Sequence, residues 1–241
     1  MSETLTIPAR FNGPPGSANG GYTCGRVAQV LGAEEVEVSL RTPPPLERPL
    51  DVVRDGARVE LRDGDTLVAE GGTTELLLEV PAALPRDEVA DAEESGRQTW
   101  TESHPFPGCV VCGPERDPGD GMRIFPAALS SRDGLYGACW TPSRQDGDGD
   151  GRVLPELVWA ALDCPTSAPV ANFGDGPPMV LASLAARLGC PVRVGEPHTI
   201  LSWGLEVDGR KRRAAAALYD SDGILTCASR ALWIELRQRA E

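Results

Sequence analysis

Leu154-Pro155-Glu156-Leu157-Val158-Trp159-Ala160-Ala161-Leu162-Asp163 is the stretch on which the fold turns. Leu154, Leu157, Val158, Ala161 and Leu162 fall at i, i+3, i+4, i+7 and i+8, the spacing of one apolar stripe on an α-helix. Pro155 suits the first turn, where its missing N–H is not needed. Around this helix the elements run in an order that the first half of the chain has already followed once. There, a short strand over Leu5–Phe11 and a Gly/Pro/Asn loop from Asn12 to Gly21 lead into an amphipathic helix from Tyr22 to Leu31, ended by Gly32. Strands follow at Glu35–Arg41, Leu50–Arg54, Ala57–Arg62 and Thr66–Val80, separated by Pro43-Pro44-Pro45, Asp55-Gly56 and Asp63-Gly64-Asp65.

In the second half, strands at Met122–Pro126 and Leu135–Thr141 and an acidic loop, Gln145 to Gly151, precede the helix. Strands at Pro178–Leu188, His198–Val207, Arg212–Asp220 and Ile224–Leu236 come after it, with Asp208-Gly209 and Asp222-Gly223 as turns. One helix with four or five antiparallel strands, twice, predicts an α+β protein in which each sheet wraps round its helix. The expected division is a first unit over 1–80, a linker over 81–120 and a second unit over 121–241. That linker holds an acidic helix, Arg86–Ser95, and a segment rich in Pro, Gly and Cys.

Composition narrows the function. A net charge of −13 over 241 residues opposes binding to nucleic acid or anionic lipid. The apolar runs are far shorter than the ~18 residues a membrane helix needs. No basic-then-apolar leader follows Met1, so a cytoplasmic protein is expected, with its seven cysteines reduced and mostly packed in the core.

Several stretches resemble motifs of the hotdog-fold thioesterase superfamily, most of all its tandem, acyl-CoA thioesterase II-like members. Cys109-Val110-Val111-Cys112-Gly113 with Gly121-Met122-Arg123-Ile124 is similar to the CxxCG and GL segments of single hotdogs. Asn19-Gly20-Gly21 resembles the His-Gly-Gly at the helix start, and Leu162-Asp163-Cys164 the segment with the catalytic carboxylate. Pro191 to Glu196 and Asp208 to Lys211 resemble later-strand motifs. The resemblance implies two hotdog units forming an internal pseudo-dimer and an acyl-CoA-type thioester as substrate; neither a cofactor nor a metal is expected. The double unit could pair further as a homodimer.

Thioester hydrolysis needs an activated water or a carboxylate nucleophile, and donors for the oxyanion that forms. Unpaired amides at a helix N-terminus suit the second need, which points to Gly20, Gly21 and Tyr22, with Asn19 beside the substrate. Asp163, nine residues beyond Leu154, suits the first; nine residues beyond Asn19 stands Ala28, which has no such chemistry. Each half thus keeps one part of a site, and one live site and one dead one are expected across the helix pair. Thr166 and Ser167 are candidates for orienting water. Arg210, Lys211 and Arg212, in the one dense basic run, are candidates for coenzyme A phosphates, or else form a charged strand edge. The thioesterase II glutamine of the last strand has no match at Ser229-Arg230-Ala231. A non-catalytic acyl-CoA-binding protein is therefore the second reading. A hydratase would need a histidine at a helix start, and neither His104 nor His198 is so placed. Cys109 and Cys112, with His104 upstream, could belong to a zinc site or form a redox pair, but no second pair stands at zinc-site spacing, and a structural turn that opens the second unit is the favoured reading. The tryptophans Trp140, Trp159, Trp203 and Trp233 are assigned to the core or an acyl pocket.

Overall fold

The computed structural model describes residues 3–171 and 176–237. Eleven strands form one sheet. The first half of the chain supplies β1 (Thr4–Thr6), α1 (Gly20–Leu31), β2 (Glu35–Leu40), β3 (Pro49–Asp55), β4 (Arg58–Asp63) and β5 (Thr66–Thr73). After α2 (Arg86–Ser103) come β6 (Ala127–Ala128), β7 (Leu135–Trp140), α3 (Pro155–Asp163), β8 (Met179–Leu188), β9 (His198–Asp208), β10 (Lys211–Tyr219) and β11 (Leu225–Glu235).

The strand order is β1-β3-β4-β5-β2-β8-β11-β10-β9-β7-β6. Neighbours pair antiparallel, and the halves meet at β2–β8, from Glu35 opposite Arg187 to Ser39 opposite Ser183. On each side of this seam the strand that follows the helix lies innermost, and the last strand of that half lies beside it. Val36 and Val38 are buried while Glu35 and Glu37 are half-exposed, as one covered face of a pleated strand requires.

Helices α1 and α3 lie against each other on the covered side and run antiparallel. A β-carbon on Gly21 would stand 2.8 Å from the Trp159 carbonyl and 2.9 Å from Ala160 Cα. One on Gly25, a turn later, would stand 2.5 Å from Glu156 Cα. The two glycines at i and i+4 therefore let the backbones approach. Helix α3 is buried on every side from Glu156 to Asp163, more than the single stripe predicted, because α1 covers the face that the sheet leaves open. Burying Leu157 and Leu162 contributes roughly 1.5–3 kcal/mol each.

Several predicted boundaries shift for local reasons. The first strand stops at Thr6, and Ala9–Phe11 forms a 3₁₀ turn after Pro8, with Phe11 N–H donating to the Pro8 carbonyl. Helix α1 starts at Gly20 rather than Tyr22, because the Asn19 side chain caps it. β5 ends at Thr73, not Val80; the pairing runs out and the Leu76 amide bonds the Glu35 carboxylate instead, at 2.8 Å. Met122–Pro126 is not a strand: Met122 and Ile124 donate to the carbonyls of Val110 and Val111, folding this segment onto the cysteine loop. α2 runs on to Ser103, where Trp100 is buried and donates its Nε1–H to the Pro126 carbonyl at 2.8 Å. No helix among the described residues is long and apolar enough to cross a membrane.

Candidate active site

Asn19 begins the site. Its Oδ1 accepts the Tyr22 amide at 2.8 Å, which fixes the side chain and leaves Nδ2 pointing across to α3. There Nδ2 donates to Asp163 Oδ2 at 3.2 Å, and the Gly21 amide donates to the same oxygen at 2.8 Å. Asp163 therefore lies at the N-terminus of the opposite helix, where aligned peptide dipoles favour negative charge. It is 1% exposed. Burial raises its pKa, the Gly21 amide pulls it down, the charge of Cys109 raises it and Asn19 lowers it; the result is about 7.

The second oxygen, Oδ1, is buried with no hydrogen-bond partner among the described residues. A buried acceptor left so incurs a desolvation penalty of about 1–3 kcal/mol, which a bound water or substrate group would relieve. Asp163 borders a cavity of about 560 Å³ whose walls are mostly apolar, including Leu40, Phe106, Leu181 and Trp233. Gly20 also borders it, and among the described residues its amide has no acceptor. A carboxylate with one oxygen held and one without a partner among the described residues thus borders a largely apolar cavity that the start of α1 also lines.

The other residues singled out in the sequence fall as follows. The Tyr22 amide is taken by Asn19 and the Gly21 amide by Asp163, so of the three only Gly20 has an N–H without an acceptor among the described residues. Tyr22 stacks its ring on Phe11, with centroids 4.1 Å apart. Thr166 does not border the cavity; its hydroxyl donates to the Asp163 carbonyl at 2.6 Å and accepts Trp233 Nε1–H at 2.8 Å. Ser167 does border it, its hydroxyl bonded to the Cys164 carbonyl at 2.8 Å. Arg212 forms an ion pair with Glu235, and Arg210 donates to the Glu235 carbonyl. Lys211 pairs in the sheet with Ile234, a residue of the cavity wall, but none of Arg210, Lys211 and Arg212 lines the cavity itself. At the far end of the helix pair, Gln29 donates to Glu156 at 2.6 Å where Ala28 and Pro155 are the counterparts of the site residues. Of the four tryptophans assigned to the core or an acyl pocket, Trp140, Trp159 and Trp233 are buried and Trp203 is partly covered.

The sequence reading missed a cluster of thiols. Cys164, next to Asp163, has its sulfur 3.8 Å from Cys109, and the Cys109, Cys112 and Cys164 sulfurs all lie within 4.8 Å of one another. Asn19 Nδ2 is 3.8 Å from both Cys109 and Cys164. His104 Nε2 touches Cys112 at 3.1 Å. Donors from Cys112, Cys164 and the amides of Cys112 and Val111 hold the Cys109 thiol well below its usual range. Burial pushes Cys112 up; in Cys164 the neighbouring thiols, with burial, do the same. Only the Cys109-x-x-Cys112 spacing marked this cluster in the sequence; its third sulfur is more than fifty residues away along the chain.

No family model and no curated protein matches the sequence. Solved structures do. The tesB protein MAP1729c of Mycobacterium avium subspecies paratuberculosis is 14% identical, with 97% of this chain and 91% of that one covered at a TM-score of 0.61. A protein assigned as a thioesterase II of Thermobifida fusca is 15% identical over 98% of this chain and 96% of its own, with a TM-score of 0.58. A conserved protein with a hot dog fold from Alicyclobacillus acidocaldarius is 10% identical over 98% and 93%, with a TM-score of 0.57. Over nearly its whole length, this chain has the hotdog fold.

Proposed function

We propose that the protein hydrolyses an acyl-CoA-type thioester at one composite site between two hotdog units. The units are residues 1–80 and 121–241, joined by 81–120 and related as an internal pseudo-dimer across β2–β8. One observation carries the reading. Asp163 of α3 meets the start of α1, its Oδ2 tied to the Gly21 amide at 2.8 Å and its Oδ1 without a partner among the described residues, in a residue that borders an apolar cavity. Structural neighbours named as thioesterases support the same class of reaction.

In this reading the acyl chain lies along the apolar walls and the thioester carbonyl points at the Gly20 amide. Asp163 Oδ1 takes a proton from water as the water attacks, and the thiolate of the carrier leaves. Donors placed where negative charge develops stabilise the transition state more than the ground state. The other crossing, with Ala28, Pro155 and the Gln29–Glu156 pair, is the inactive counterpart.

The test is a panel of acyl-CoAs of graded chain length, followed by thiol release. Saturable hydrolysis of at least one member is expected; no release above buffer from any of them overturns the proposal. The basic turn gives a second check. Lys211→Glu is expected to raise KM for acyl-CoA about two- to fivefold, the size of an exposed charge contact, with kcat unchanged. The matching acyl-pantetheine, which lacks the nucleotide phosphates, should show no change in KM. Equal behaviour of the two substrates would remove Lys211 from the binding of coenzyme A.

A further inference from the structure

We propose that Cys109, Cys112 and Cys164 form a binding site for a thiophilic d¹⁰ metal ion, Zn²⁺ foremost, with the three sulfurs as ligands. The proposal does not depend on the hydrolase reading.

Geometry is the first argument. A tetrahedral zinc with Zn–S of ~2.3 Å sets its sulfurs ~3.8 Å apart. Cys109 and Cys164 are 3.8 Å apart, and the third sulfur lies within 4.8 Å of both. A disulfide needs ~2.05 Å, and all three are free thiols here.

Local backbone is the second. Cys109-Val110-Val111-Cys112-Gly113 closes a tight knuckle, with the Gly113 amide donating to the Cys109 carbonyl at 2.9 Å. Gly113 has no room for a side chain: a β-carbon there would stand 2.6 Å from the Cys109 nitrogen and closer still to two carbonyl oxygens.

The surroundings are the third. His104 Nδ1 accepts the Phe106 amide at 2.9 Å, which in the neutral ring leaves the proton on Nε2, 3.1 Å from Cys112. His104 is therefore a donor to a ligand sulfur rather than a fourth ligand. Asn19 Nδ2 faces the other two sulfurs. Three sulfurs with polar donors round them make a supported ligand set. All three cysteines border the cavity, so the fourth position of the ion would open towards it. Each thiol still protonated releases its proton to solvent as its bond to the ion forms. The ion would tie the loop after α2 to the end of α3.

The experiment uses the full chain, reduced, stripped with a chelator and titrated with Co²⁺ and then Zn²⁺. One Co²⁺ per chain should bind with the intense near-ultraviolet absorption of sulfur-to-cobalt charge transfer, and Zn²⁺ should displace it. Cys109→Ser and Cys164→Ser should each weaken binding about tenfold or more, while Cys190→Ser, an exposed cysteine, should bind as the parent does. Should the serine variants not fold, the parent alone decides, by native mass spectrometry and by the rise in Tm that Zn²⁺ produces. Binding without charge transfer, fewer than about 0.1 equivalents bound, or equal loss in Cys190→Ser would each overturn the proposal.

Discussion

Asp163→Asn is expected to lower kcat for acyl-CoA hydrolysis by ~10²–10⁴-fold, the range for removing a positioned general base. The substitution is nearly isosteric. An asparagine oxygen can still accept the Gly21 amide and Asn19 Nδ2, so the frame round the site survives. What is lost is the capacity to take a proton at the position of Oδ1. KM should change little, because the cavity walls that hold the acyl chain are untouched. The unfolding midpoint should correspond to a stability within ~1 kcal/mol of the parent. Steady-state kinetics beside a denaturant curve separates the two effects. Parental kcat in a folded variant would end the assignment of Asp163 as the proton acceptor.

Gly25→Ala is the second large effect, this time on stability. The new β-carbon would stand 2.5 Å from Glu156 Cα and 2.9 Å from Trp159 Cβ. Backbone cannot rotate away as a side-chain tip can, so α1 and α3 must separate. Overpacking of this kind costs about 1–3 kcal/mol. Because the helices carry the two parts of the site, separation also lengthens the Gly21–Asp163 bond, and activity should fall with stability. Gly72→Ala is the control: its φ is not in the left-handed region and the nearest atom to a β-carbon is 3.6 Å away. Urea unfolding should place Gly25→Ala well below the parent and Gly72→Ala beside it. If the two variants unfold alike, the close helix seam does not limit stability.

How much of this was legible in the sequence differs by element. Helix α3 was predicted at its observed bounds because Pro155 and the 3.6-residue period mark it from both sides. The later strands were legible from alternation and Asp-Gly turns. Boundaries failed where tertiary pairing decides: Thr74 onward reads as strand in composition but has no continuous partner, and Met122 to Ile124 pairs with a loop. Asp163 and the Gly20-Gly21 pair were legible as candidates through resemblance and helix-end chemistry. Their distribution of hydrogen bonds was not, since it depends on where the Asn19 side chain turns. The third thiol was invisible for the same reason; Cys164 reaches Cys109 only through the packing of the two halves. Gly25 looked like an ordinary helix residue because its neighbour across the seam is far away in sequence.

The seam between β2 and β8 has a bearing on biosynthesis. Ser39 must wait for Ser183, and Glu35 for Arg187, 152 positions further along. Until that partner emerges from the ribosome, β2 is an unpaired strand edge with Val36 and Val38 on one side, the kind of surface that invites pairing with other chains. Long-range closure of this sort makes folding slow relative to helical proteins of the same size. The nascent chain thus carries an uncovered strand edge from the time its first third is made until β8, the first of its last four strands, arrives to shield it.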